Sequence, residues 1–123
     1  MKVQIQSQSV RLRIDENELA ELLAGQWVAS RTNLGALGGF ACALQLHAGD
    51  DAQLDGSVAA LRFALPREDV LALQRRLPCR DGLSYEFPLQ PQPLHLQFDV
   101  DVRDSVRQRG VQRRASDVSV AAD

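Results

Sequence analysis

The run most suited to chemistry stands near the end of the chain. From Leu94 to Arg103 the even positions are apolar, and the odd ones read His95, Gln97, Asp99, Asp101 and Arg103. A period of two puts the imidazole and both carboxylates on one face of a strand. Residues two apart on a strand lie ~6.6 Å from each other, so Asp99 and Asp101 could share a divalent cation or shift one another's pKa. His95 is too far along a straight strand to join that ion without a ligand from a neighbouring strand. The plainer alternative is a solvated strand face whose charges guard a sheet edge.

Arg11 and Arg13 are the mirror feature, preceded by Gln4, Gln6 and Gln8. An Arg-x-Arg strand offers two forked donors to a carboxylate or phosphate. If this strand paired with that of Asp99 and Asp101, the charges would instead neutralise each other, as opposite charges do in ordinary sheets. The candidate ligand-binding set is therefore Arg11, Arg13, His95, Asp99 and Asp101, and the sequence names no metal for it. His47 stands apart, at a strand end beside Gly49-Asp50-Asp51, where a loop site is conceivable and a solvated strand end is the simpler reading.

Several chemistries are disfavoured. The glycine-rich run at 35–39 matches neither a dinucleotide-binding nor a P-loop pattern, and a strand follows it instead of a helix. There is no Gly-x-Ser-x-Gly, and the sole lysine, Lys2, leaves little room for Schiff-base chemistry. No catalytic residue is assigned and no cofactor is expected. Cys42 and Cys79 form neither a Cys-x-x-Cys motif nor a disulfide framework.

These side chains need elements to hold them. Val3 and Ile5, then Val10, Leu12 and Ile14, alternate as two strands whose apolar parity changes across Ser7-Gln8-Ser9, so a bulge or tight turn must intervene. Asp15 and Glu18 make a capping box for a short helix carrying Leu19, Leu22 and Leu23, with Gly25 as its stop. Residues 26–33 read as a strand containing Trp27, and 40–46 as another. A turn is expected over 48–55 and one strand over 56–65. Pro66 opens a second helix along Val70, Leu73 and Leu77, and Pro78 ends it. A hairpin then runs from Leu83 through Pro91-Gln92-Pro93 to Val102.

The predicted architecture is α+β: a mostly antiparallel sheet or partly closed barrel of about seven strands with two short helices. The spacing hints at two similar halves, roughly 1–65 and 56–103. One domain is expected over 1–103, followed by a mobile arginine-containing tail over 104–123. The 123 residues suit one domain, with 45% apolar and 24% charged side chains typical of a globular chain. A net charge of −2 argues against a dedicated nucleic-acid binder, apart from a weak contact by the tail. Neither a signal-peptide run nor a membrane span is expected, which favours the cytoplasm.

The opening Met1-Lys2-Val3-Gln4-Ile5-Gln6, with Ser9-Val10-Arg11-Leu12-Arg13-Ile14, resembles an uncharacterised family of small bacterial proteins. The helix start at Leu65 to Asp69 is similar as well, while Gln97-Phe98-Asp99-Val100-Asp101 departs from that family's last strand. The resemblance implies a compact intracellular domain and brings no activity. Two functions are carried forward. One is a small cytoplasmic binding or interaction module without catalysis, with an unknown protein partner or a second copy of itself. The other is a small enzyme or ligand-binding barrel for an anionic, phosphate-bearing molecule, using Arg11, Arg13, Asp99 and Asp101.

Overall fold

A computed structural model describes residues 1–102 of the chain. The tail expected over 104–123, its basic arm and Arg103 lie outside the described residues. The first hairpin joins β1 (Lys2–Gln6) to β2 (Ser9–Asp15), with Ile5 opposite Val10 and Val3 opposite Leu12. The parity change is absorbed by a tight turn in which Ser7 takes φ 51°. Asp15 then caps α1 (Glu16–Leu23). Its carboxylate accepts the Glu18 N–H at 2.8 Å, and the Glu18 carboxylate accepts the Asp15 N–H at 3.1 Å. That reciprocal box satisfies two otherwise orphaned helix donors.

Next come β3 (Val28–Asn33), a single 3-10 turn at Gly35–Leu37, and β4 (Gly39–His47). Trp27 lies just outside β3 and is half exposed, so it is not the strand residue its type suggested. The expected strand over 56–65 is shorter, β6 (Ala60–Pro66), and its hairpin partner β5 (Gln53–Ser57) occupies residues most of which fall in the turn expected over 48–55. Pro66 closes β6 and precedes α2 (Arg67–Arg75). The last hairpin is β7 (Leu83–Phe87) and β8 (Leu94–Asp101).

Among the described residues there are thus eight strands and not seven, and they form two open four-stranded sheets instead of a barrel. The first has the order β1-β2-β8-β7 and the second β3-β4-β6-β5. Each sheet is two antiparallel hairpins joined by a parallel central pair, β2 with β8 and β4 with β6. The chain is therefore a duplicated ββαββ unit whose halves interlock. The first hairpin of each half pairs with the last hairpin of the other. The registers set Asp15 opposite Asp101 in one sheet and Pro66 opposite His47 in the other, so Arg11 corresponds to Arg62 and Leu12 to Phe63.

Both inner sheet faces and both helices meet in one core. Leu12, Phe98, Leu44 and Phe63 are fully buried at its centre, with Leu22 of α1 and Leu73 of α2. Phe63 and Phe87 bring the two sheets together, their ring centroids 6.2 Å apart. The helices bridge the sheets, α1 packing on β2, β8, β3 and β4 and α2 on β6 and β7. Arg67 Nη2, at the start of α2, donates to the Leu23 carbonyl at the end of α1 at 2.8 Å. That cation sits where the helix dipole is negative.

Two acids, Cys42 buried in this core and Tyr85 half-buried against it, are expected to make stability fall at high pH. Burial pushes the Cys42 thiol up to about 11 from 9.0. The Tyr85 phenol is raised above its ordinary 10.0, first by burial, then by its hydrogen bond to the Asp69 carboxylate and by that group's charge. Each group holds its proton more tightly when folded. The stability this contributes is complete below the unfolded pKa and declines as pH climbs through the folded one. Denaturant midpoints are expected to fall as pH rises past 9.0. Tyr85→Phe should make that decline shallower, and an unchanged slope would remove Tyr85 from the account.

Candidate functional site

The outer face of the first sheet holds the five candidate ligand-binding residues, Arg11, Arg13, His95, Asp99 and Asp101. Cross-strand register lays it out in rows: Gln6, Ser9, His95 and Glu86; then Gln4, Arg11, Gln97 and Ser84; then Lys2, Arg13 and Asp99. Because the register sets Arg11 opposite Gln97 and Arg13 opposite Asp99, the two arginines and the aspartates face the same way in adjacent strands. The charge-neutralising pairing expected if these two strands were neighbours is present, whereas the edge-guarding, solvated face is not: β8 lies inside the sheet and Asp99 is buried.

Asp99 is its hub. It is only 4% exposed, the one buried charged residue among those described. Its Oδ2 accepts from Arg11 Nε at 2.6 Å and lies 4.0 Å from Arg13 Nη2, while its Oδ1 accepts from Gln97 Nε2 at 3.1 Å. Gln97 also accepts the Ser84 hydroxyl at 2.6 Å and donates to the Asp81 carbonyl. The connection from α2 to β7 is thereby pinned onto β8. Gly82 completes the closure, packed so tightly that a Cβ there would overlap the Phe98 carbonyl oxygen.

Arg11, Arg13, Asp99 and Asp101 line one shallow depression of about 840 Å³, together with Cys79 and Arg80. His95 lies one row away, in a neighbouring hollow of about 700 Å³ that shares Arg11 with the first. The structure thus gathers four of the five candidates and sets the histidine beside them. Among the described residues no group of three or more His, Cys, Asp or Glu is placed to hold a metal ion. The cation shared by Asp99 and Asp101 has no such support, because Asp99 is taken up by Arg11 and Gln97.

Sequence reasoning missed Arg80. It sits in a connection with no periodicity, and only the pairing of Gln97 with Asp81 shows that this connection folds onto β8. His47 is a loop clamp: its Nδ1 accepts the Gly49 N–H at 2.9 Å, which leaves Nε2 to donate to the Asp51 carbonyl at 2.7 Å.

The pseudo-equivalent arginine measures what burial adds. Arg62 pairs with Asp55 at 3.0 Å, but the two side chains are 54% and 72% exposed. Removing it with Arg62→Ala is expected to change stability by less than about 0.5 kcal/mol. Arg11 is 43% exposed on a carboxylate that is 6% exposed. Arg11→Ala leaves that carboxylate with only Gln97 and the more distant Arg13, and is expected to cost about 1–2 kcal/mol, discounted for the half-solvated guanidinium. Urea unfolding of the two variants checks the difference, and equal midpoints would count against it.

Compared with known proteins, the chain matches no family model, no curated protein and no solved structure. No helix among the described residues is long and apolar enough to cross a membrane.

Proposed function

We propose that the chain is a small cytoplasmic binding or interaction module that works without catalysis, its recognition surface being the outer face of the first sheet. The observation that carries this reading is the Arg11–Asp99–Gln97 arrangement. Acid and base on this face are bonded to each other, on rigid strands, around a buried carboxylate. They make a fixed pattern of donors and acceptors, which is what recognition needs. Catalysis by these groups would instead require an acid or base within reach of a substrate proton. The second reading, an enzyme for an anionic, phosphate-bearing molecule, draws on the same depression, where Arg11 and Arg13 stand with Asp99 and Asp101.

The test is a titration of isotope-labelled protein with nucleotides, sugar phosphates, divalent cations and short peptides, followed by amide chemical shifts. Shifts are expected to gather on residues 4–13 and 95–101, with each added compound recovered unchanged. Conversion of a compound would favour the enzyme. Shifts centred on the second sheet would sink the assignment of the face.

A further inference from the structure

We infer that Arg11, Arg13 and Arg80 form a docking site for a phosphate-bearing anion, with Asp99 as the positioning residue beneath the first two. This deepens the recognition-face reading and rests on it. Three separate observations converge on the site.

The first is pre-organisation. Parallel pairing sets Arg13 directly opposite Asp99, and the same carboxylate oxygen reaches Arg11 Nε at 2.6 Å and Arg13 Nη2 at 4.0 Å. A guanidinium has five N–H donors, and the Arg11–Asp99 bond uses one of them. Both arginines still have 36% or more of their side-chain surface open to solvent, while Asp99 has 6%. The carboxylate is inside and the forks are outside.

The second is Arg80. It is exposed, lines the same depression, and has neither an ion pair nor a hydrogen bond among the described residues. Its place is nevertheless set, because Asp81 and Gly82 immediately after it are fixed against β8. A cation without an internal partner, held on a pinned segment beside two anchored cations, is a group awaiting an external anion.

The third is the balance of charge and size. The described lining carries three guanidiniums against the carboxylates of Asp99 and Asp101, an excess of one positive charge in a chain whose net charge is −2. Forks arriving from β2 and from the α2–β7 connection approach an anion from two sides. That suits a phosphoryl group, with oxygens in several directions, better than a planar carboxylate. At about 840 Å³ the depression is also larger than one phosphate needs, leaving room for the body of a phosphorylated metabolite.

Inorganic pyrophosphate is the probe, with inorganic phosphate and citrate beside it, at low ionic strength so that screening does not mask binding. Amide shifts are expected at 11–13, 79–82 and 99–101. Arg80→Ala should weaken pyrophosphate binding tenfold or more without disturbing the fold. Arg80→Lys should recover only part of it, since lysine restores charge but not the fork. Arg62→Ala, at the position equivalent to Arg11 on the other sheet, should bind as the unaltered protein does.

Absence of shifts at millimolar pyrophosphate overturns the inference. So does an equal loss in Arg62→Ala, which would mean diffuse charge attraction, or citrate binding as tightly as pyrophosphate. If pyrophosphate leaves the face silent while other compounds of the wider titration shift it, the anion is wrong and the recognition face stands. If every compound acts on the second sheet instead, both fall.

Discussion

Gly82→Ala is expected to lower folding stability by about 3 kcal/mol or more and to loosen the candidate site in the same step. Gly82 has φ 61°, in the left-handed region that a side chain disfavours by about 1–2 kcal/mol. Space makes the larger contribution. An alanine Cβ would overlap the Phe98 carbonyl oxygen and lie 2.5 Å from Asp99 Oδ1. Neither neighbour can yield easily, since one is backbone in a central strand and the other is the buried hub of the ion pair. The chain must then lift away from β8, breaking the Gln97–Asp81 bond and carrying Arg80 with it. Gly35 is the control, with φ 64° and open space where its Cβ would be. Gly35→Ala should cost only the backbone share. Thermal unfolding of the two variants separates the effects, and equal losses would show that the close approach carries no weight.

How legible all this was depends on the distance over which each feature is set. The capping box, both helices and the alternation of β2 and β8 are local, and local residues specify them. Alternation alone also put Arg11, Arg13, Asp99 and Asp101 on outward-facing positions. It could not say that the two strands are neighbours, because a parallel pair separated by most of the chain leaves no local mark.

The missed hairpin has a similar cause. Its turn, Ser57-Val58-Ala59-Ala60, carries none of the glycine, asparagine or proline that usually signals one, so β5 is divided between an expected turn over 48–55 and an expected strand over 56–65. With β5 separated from β6, the halves become two ββαββ units over 2–47 and 53–101, not the overlapping ranges that spacing suggested. The barrel expectation failed for the same reason. A run of short-connected strands favours one continuous sheet, whereas interlocking halves make two. Arg80 was invisible for the opposite reason: its connection has no pattern, and its position is decided by the side chain of Gln97.

Interlocking halves lead to the second large effect. Cutting the chain in the connection at 48–52 and purifying 1–50 and 51–123 separately is expected to yield two pieces that do not fold as monomers. Each piece would own two hairpins that belong to different sheets, and an isolated two-stranded ribbon is marginal in water. The parallel pairs β2–β8 and β4–β6, which complete the sheets, each need one strand from either piece. The core divides likewise, with Leu12, Leu22 and Leu44 on one fragment and Phe63, Leu73 and Phe98 on the other. Mixed in equal amounts, the fragments should recover the native amide spectrum. The complex should melt lower on dilution, since the linker no longer supplies a high effective concentration. A dispersed, native-like spectrum from 1–50 as a monomer would contradict the interlocked topology, because that fragment contains neither β8 nor β6. The docking site obeys the same division: Arg11 and Arg13 come from one fragment and Arg80 and Asp99 from the other. Pyrophosphate should therefore strengthen the association of the fragments if it binds there, by linkage between ligand and assembly.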